Sequence, residues 1–146
     1  MQRQSGYFLQ IISAAALLSQ IGAPAYSATK SAALSFAESL AISYGHEGIK
    51  VSAACPQYVA TPMLGFEDTK LPRDAKNLIS ADEAALQIID GVLQEKFLIL
   101  TDSGLIKFFE RKHEDYDQWI IGMQRLQNKI VHATGEINLD NMYKFI

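Results

Sequence analysis

Tyr26-Ser27-Ala28-Thr29-Lys30 is the stretch on which the reading of this sequence turns, taken together with Ser13 thirteen positions before it. Residues four apart share one face of a helix, so the spacing sets a phenol beside an ammonium. A free tyrosine, with a pKa of about 10, is a poor proton donor or acceptor at neutral pH. A fixed cation beside it is what tyrosine acid/base chemistry needs. At roughly 5 Å and an effective dielectric of about 20, one positive charge favours phenolate by about 3 kcal/mol before solvent screening. The pattern is helical from about Pro24 to Tyr44, with proline tolerated in a first turn because its missing N–H would be unpaired there anyway. Ala33, Phe36, Ala37, Leu40, Ala41 and Tyr44 recur at helical spacing, and the wheel puts Tyr26 and Lys30 on that apolar, inward side. Ser31, Ser35, Glu38 and Ser39 take the opposite side, and Gly45 and Gly48 bracket the stop.

On either side of this helix the sequence reads as strand. Gly6 to Ser13 is an aromatic and β-branched run without a turn residue, which predicts a buried strand, and Ala14 to Ala25 predicts a loop leading into the helix. Lys50 to Cys55 predicts a second short strand. A strand, helix, strand order of this length predicts a right-handed parallel crossover. Ser13 then stands at a strand's C-terminal end, where open parallel α/β sheets bind ligands. Gln57 to Lys76 is irregular, broken by Pro62, Gly65 and Pro72, and a long connection of this kind beside a site is often a lid. Met63, Leu64 and Phe66 make that lid apolar. Ser80-Ala81-Asp82-Glu83 is a capping box opening a helix to about Lys96, and Phe97 to Thr101 predicts a third buried strand. The rest is a helical tail whose apolar stripe is Tyr116, Trp119, Ile120, Met123, Leu126 and Ile130; Asn138 to Ile146 carries no clear pattern.

The 146 residues have the size of one domain, with 49% apolar and 20% charged residues, a globular balance. A net charge of -3 gives no reason to expect nucleic acid or an anionic membrane as partner. The single cysteine, Cys55, has no internal disulfide partner, which fits a reducing compartment and a cytoplasmic location. Cys55 reads as a small buried hydrophobe, since no histidine lies near it in sequence. His46, His113 and His132 lack metal-ligand spacing, so no metal site is expected. Arg3, the apolar run from Tyr7 to Leu18 and Ala23-Pro24-Ala25 sketch a secretory signal. Cleavage after Ala25 would remove Ser13, and the run is too short and interrupted to span a bilayer.

Ser13, Tyr26 and Lys30 in this register, followed by Pro56-Gln57-Tyr58-Val59-Ala60-Thr61, resemble the C-terminal catalytic half of the short-chain dehydrogenase/reductase family. The likeness runs from Gly6 to Thr101 and fades over residues 102–146. Alone, each residue has a plainer role: a half-buried tyrosine paired to backbone, a snorkelling lysine, a serine satisfying a strand end. The resemblance implies more. Tyr26 would be the acid/base at a carbonyl or carbinol oxygen, and Lys30 would support the phenolate and hydrogen-bond the nicotinamide ribose of NAD or NADP. Ser13 would orient the substrate oxygen. Val59, through its backbone, and Thr61, through its hydroxyl, would hold carboxamide and phosphates, with Pro56 shaping the turn. Where the family usually has glycine after the proline, this chain has Gln57, which puts close backbone approach in question. The implied fold is α/β, a partial Rossmann-like parallel sheet of about three strands with flanking helices and a helical tail, in one domain.

The family's glycine-rich cofactor-binding half has no counterpart, because Gly6, Gly22, Gly45 and Gly48 form no GxxxGxG. The asparagine that completes the family's catalytic set belongs to that half too. The expectation is a truncated member, a gene-model fragment or one half of a split protein. Two functions follow: an NAD(P)-dependent oxidoreductase acting on a small carbonyl or alcohol, or a non-catalytic remnant serving interaction. For the latter, the Tyr26-bearing helix would pair with a second copy through its polar side, with Ile42 as a contact.

Overall fold

A computed structural model of the chain describes residues 5–66 and 77–145, and of 139–141 the backbone only. Three strands, β1 (Gly6–Ile11), β2 (Ile49–Cys55) and β3 (Leu98–Leu100), form one parallel sheet in the order β1-β2-β3. Phe8 pairs with Val51 and Gln10 with Ala53, so alternate residues of both strands face the same side. The helices are α1 (Ala15–Leu18), α2 (Pro24–Tyr44), α3 (Ala81–Leu93), α4 (Leu105–Glu114) and α5 (Tyr116–Thr134). The α/β reading, a small parallel sheet with flanking helices and a helical tail, is what the chain adopts.

The α2 boundaries coincide with the sequence reading, Pro24 in the first turn and Gly45 as C-cap. Gly48, at φ 81°, closes the short 3-10 turn Gly45–Glu47, a left-handed backbone that favours glycine. Ala37 of α2 packs on Val51, Ala53 and Cys55 of β2 together with Ile12, Leu17 and Leu105, the first of two cores. On the other side of β2, Ser52 is buried and its hydroxyl donates to the Lys96 carbonyl at 2.6 Å, within 2.6 Å of the Tyr7 hydroxyl. Helix α3 approaches β3 closely at Gly91, where a Cβ would stand 2.7 Å from the Ile99 side chain. Its N-cap is formed: the Ser80 hydroxyl accepts the Glu83 N–H at 3.1 Å. Ser80→Ala is expected to cost about 1 kcal/mol, read as a lower urea midpoint with unchanged slope; an unmoved midpoint would mean the cap adds nothing.

Several expectations are corrected. The strand read over Gly6 to Ser13 stops at Ile11 and is not buried, since Tyr7, Phe8, Leu9 and Ile11 are each at least 40% exposed. It is an edge strand with one neighbour, so parallel-sheet burial on both faces is not achieved there. The loop read over Ala14 to Ala25 contains α1. Phe36 is 54% exposed because the small residues Ala33, Ala37 and Ala41 bring α2 down on the sheet and its stripe is wider than the surface it covers. Third, the tail is two helices parted at Asp115, whose carboxylate accepts the Gln118 N–H at 2.9 Å and starts α5. Tyr116 and Ile120 of the proposed stripe face solvent. Finally, the uninformative C-terminus is structural: Met142 and Tyr143 join Ile21, Tyr58, Ala60, Leu78 and Ile130 in the second core. Lys112 of α4 is buried, its ammonium donating to the Leu17 carbonyl at 2.6 Å, so the tail is fastened to α1. Of the expected Gln57–Lys76 connection, residues 67–76 lie outside the described residues, and the described part holds a 3-10 turn at Pro62–Leu64. Among the described residues no helix is long and apolar enough to cross a membrane.

Candidate active site

The parallel sheet brings the C-terminal ends of β1 and β2 side by side, and the candidate residues follow from those ends. Ser13 lies two residues beyond β1 and Pro56 one beyond β2; the Ala14 N–H donates to the Pro56 carbonyl at 2.8 Å, tying the two segments together. The Ser13 hydroxyl accepts the Ala15 N–H at 3.1 Å, the local backbone role expected of a serine at a strand end, and retains its proton for another partner. Tyr26 and Lys30 occupy the first two turns of α2, both half-buried, with the Lys30 ammonium 5.5 Å from the centre of the Tyr26 ring.

Cys55 reports how these groups converge. Burial pushes its thiol above the ordinary value, while a hydrogen bond from the Ser13 backbone and the charge of Lys30 pull the other way. Serine backbone, lysine ammonium and strand end therefore share one neighbourhood. Tyr58 is likewise raised by burial, against a side-chain hydrogen bond with Gln20. The folded protein thus holds both protons more tightly than the unfolded chain, whose groups titrate near 9.0 and 10.0. Unfolding releases protons above those values, so this share of stability is complete below pH 9.0 and lost as pH rises through the folded values. A urea midpoint that falls above that pH is expected, and Cys55→Ala is expected to remove the lower-pH part of the fall; a flat profile would contradict it.

The turn after β2 carries Pro56, Gln57, Val59 and Thr61. Val59 forms a lone parallel bridge with Ile79, in which the Tyr58 carbonyl accepts the Ile79 N–H and the Ala60 N–H donates to the Ile79 carbonyl. The Val59 N–H and carbonyl are turned to the side away from Ile79. Gln57 is not at positive φ, where the non-glycine residues among those described are Ser19 and Glu95. A glycine is therefore not required there by the backbone, and the substitution leaves the turn unstrained. Thr61 is half-buried and its carbonyl accepts the Leu64 and Phe66 N–H groups. Among the described residues no cluster of metal-ligating side chains occurs.

A cavity of about 450 Å³ opens beside Ser13. Its wall is formed by Ser13, Gln57 and Tyr58 from the strand ends and by Phe108, Trp119 and Met123 from the tail helices, among others; Tyr26 and Lys30 are not part of the lining. The sequence reading missed this tail contribution. The Trp119-Met123-Leu126 stripe was visible, but nothing in the sequence said that it faces Tyr58 and the serine segment.

A family model described as short chain dehydrogenase matches residues 1–71. Epidermal retinol dehydrogenase 2 of Mus musculus is 35% identical over 97 residues, 64% of this chain and 31% of that protein. Among solved structures, a short chain dehydrogenase/reductase from Burkholderia phymatum in complex with NAD superposes with a TM-score of 0.64 at 22% identity, covering 78% of this chain and 49% of that one. A short-chain dehydrogenase from Sphingobium yanoikuyae in complex with NADPH gives 0.62 at 20% identity, covering 83% and 46%. The chain thus spans about a third of this curated relative and about half of these structures. Residues 1–71 thus match the short chain dehydrogenase family model, and the fold is the one these short-chain dehydrogenase structures share.

Proposed function

We infer that this chain carries the proton-handling face of an NAD(P)-dependent oxidoreductase acting on small alcohols or ketones. The observation that carries the reading is the convergence at the sheet's C-terminal edge: the Lys30 ammonium beside the Tyr26 ring and within charge range of Cys55, whose thiol meets the Ser13 backbone. In the alcohol-to-ketone direction Tyr26 takes the hydroxyl proton, and in the reverse direction it returns one to the carbonyl oxygen. Ser13 donates its hydroxyl proton to the same oxygen and holds it in line. Lys30 keeps positive charge next to the phenol oxygen and reaches the nicotinamide ribose, and the Val59 backbone takes the carboxamide. The nicotinamide, when bound, supplies or accepts the hydride.

The nucleotide's adenine and phosphate end needs a glycine-rich turn that this sequence does not contain. The chain's own contribution is therefore the nicotinamide end. Titration of the purified chain with NADH and NADPH, followed by nicotinamide fluorescence, tests this. Binding of at least one nucleotide is expected, weakened about tenfold by Lys30→Ala, the effect of losing a hydrogen bond to a charged group. Binding of neither nucleotide, or binding indifferent to Lys30, rejects the reading.

A further inference from the structure

Among the described residues the cavity beside Ser13 has one ionised side chain on its wall. Arg111, on α4 one turn after Phe108, lines it and is solvent-exposed, which puts the guanidinium at the rim. Among the described residues no carboxylate lines the cavity, and burial raises the phenol of Tyr58 on its wall. Among the described residues Arg111 has no partner; the ion pairs there are His46 with Glu47 and Lys50 with Glu95. Glu114, three positions on and within reach on a helix, does not close on it. A lone cation thus stands over a largely apolar, partly enclosed space that leads to Ser13.

We propose that the cavity takes an alcohol or ketone with an apolar body and a carboxylate, the carboxylate seated on Arg111 while the hydroxyl or carbonyl reaches Ser13. The proposal rests on the oxidoreductase reading for the reacting end and adds the substrate's charge and polarity. A guanidinium offers a planar fork of donors that matches a carboxylate in a bidentate pair. Beside low-dielectric walls that pairing is stronger than in open water. One cation, with no second beside it among the described residues, suits a monoanion. The volume of about 450 Å³ is that of a small-molecule pocket, and Phe108, Trp119, Met123 and Leu126 give the body of the ligand an apolar seat.

Trp119 is the chain's only tryptophan and lines the cavity, so its emission reports occupancy without any turnover. The probes are ω-hydroxydodecanoate and its methyl ester, which share length and hydroxyl and differ in charge. The acid is expected to shift Trp119 emission and to bind about tenfold more tightly than the ester, a gap of the size of one charge-assisted hydrogen bond. Arg111→Gln is expected to abolish the gap and Arg111→Lys to keep part of it. Circular dichroism of both variants checks that α4 remains folded. Equal binding of acid and ester, a gap that survives Arg111→Gln, or no response of Trp119 to either probe would overturn the proposal. A chain that fails here while binding NADH or NADPH through Lys30 keeps its dehydrogenase reading and loses only the anionic substrate; one that passes here without binding nucleotide shows the reverse.

Discussion

Tyr26→Phe is expected to lower NAD(P)H-linked turnover by about a hundred- to ten-thousand-fold, the range for removing a positioned general acid or base. KM is expected to change little, because the lost contact matters most while a proton is in flight. The structure makes this substitution a clean one. The aromatic ring is retained, so the contact with the Lys30 ammonium at 5.5 Å from its centre survives. The hydroxyl of Thr29 bonds to the Tyr26 main-chain carbonyl and not to its side chain, so the first turn of α2 is undisturbed. Only the oxygen goes. Turnover left near wild type would remove Tyr26 from the mechanism and return it to the role of an ordinary half-buried tyrosine. Unchanged circular dichroism with lost turnover would separate chemistry from folding.

The site was legible in the sequence where chemistry and local periodicity coincide. Tyr26 and Lys30 are one helical turn apart whatever the rest of the chain does. Pro24 and Gly45 fix the ends of their helix by backbone preferences that tertiary packing did not override. Ser80 and Glu83 marked the start of α3 for the same reason. What the sequence could not convey is the number of neighbours an element has. Tyr7, Phe8, Leu9 and Ile11 say strand through their shapes, yet nothing in them says that β1 pairs on one side alone. Glycine was expected at position 57 from the family pattern, and the negative φ of Gln57 shows that the turn does not need one. The cavity was hidden for a related reason. Its walls come from residues about a hundred positions apart, and a stripe such as Trp119-Met123-Leu126 announces that it will be covered without naming the cover.

That hidden packing sets the second large effect. Ile130→Ala is expected to destabilise the chain by about 2–5 kcal/mol, the usual range when a large aliphatic side chain is cut from a closed core. Ile130 is 1% exposed near the C-terminal end of α5, in the second core with Ile21, Tyr58, Leu78, Met142 and Tyr143. Helix α5 cannot collapse readily onto the space left behind. Its ends are pinned, at Asp115 by the bond to the Gln118 N–H and at Gly135 by the left-handed C-cap whose N–H meets the Val131 carbonyl. Exposed Ile120 is the control: its replacement by alanine removes a similar side chain from a site open to water, and is expected to stay within about 0.5 kcal/mol. Urea unfolding of the three proteins measures both. The consequence for function follows from Tyr58 and Ile21, which pack in this core and also line the cavity beside Ser13. Loosening Ile130 is therefore expected to weaken ligand binding sensed by Trp119, while the Lys30-dependent binding of nicotinamide, built on α2 and the first core, holds at denaturant concentrations where the fold persists. Equal loss of both would mean that the two cores unfold and act as one unit.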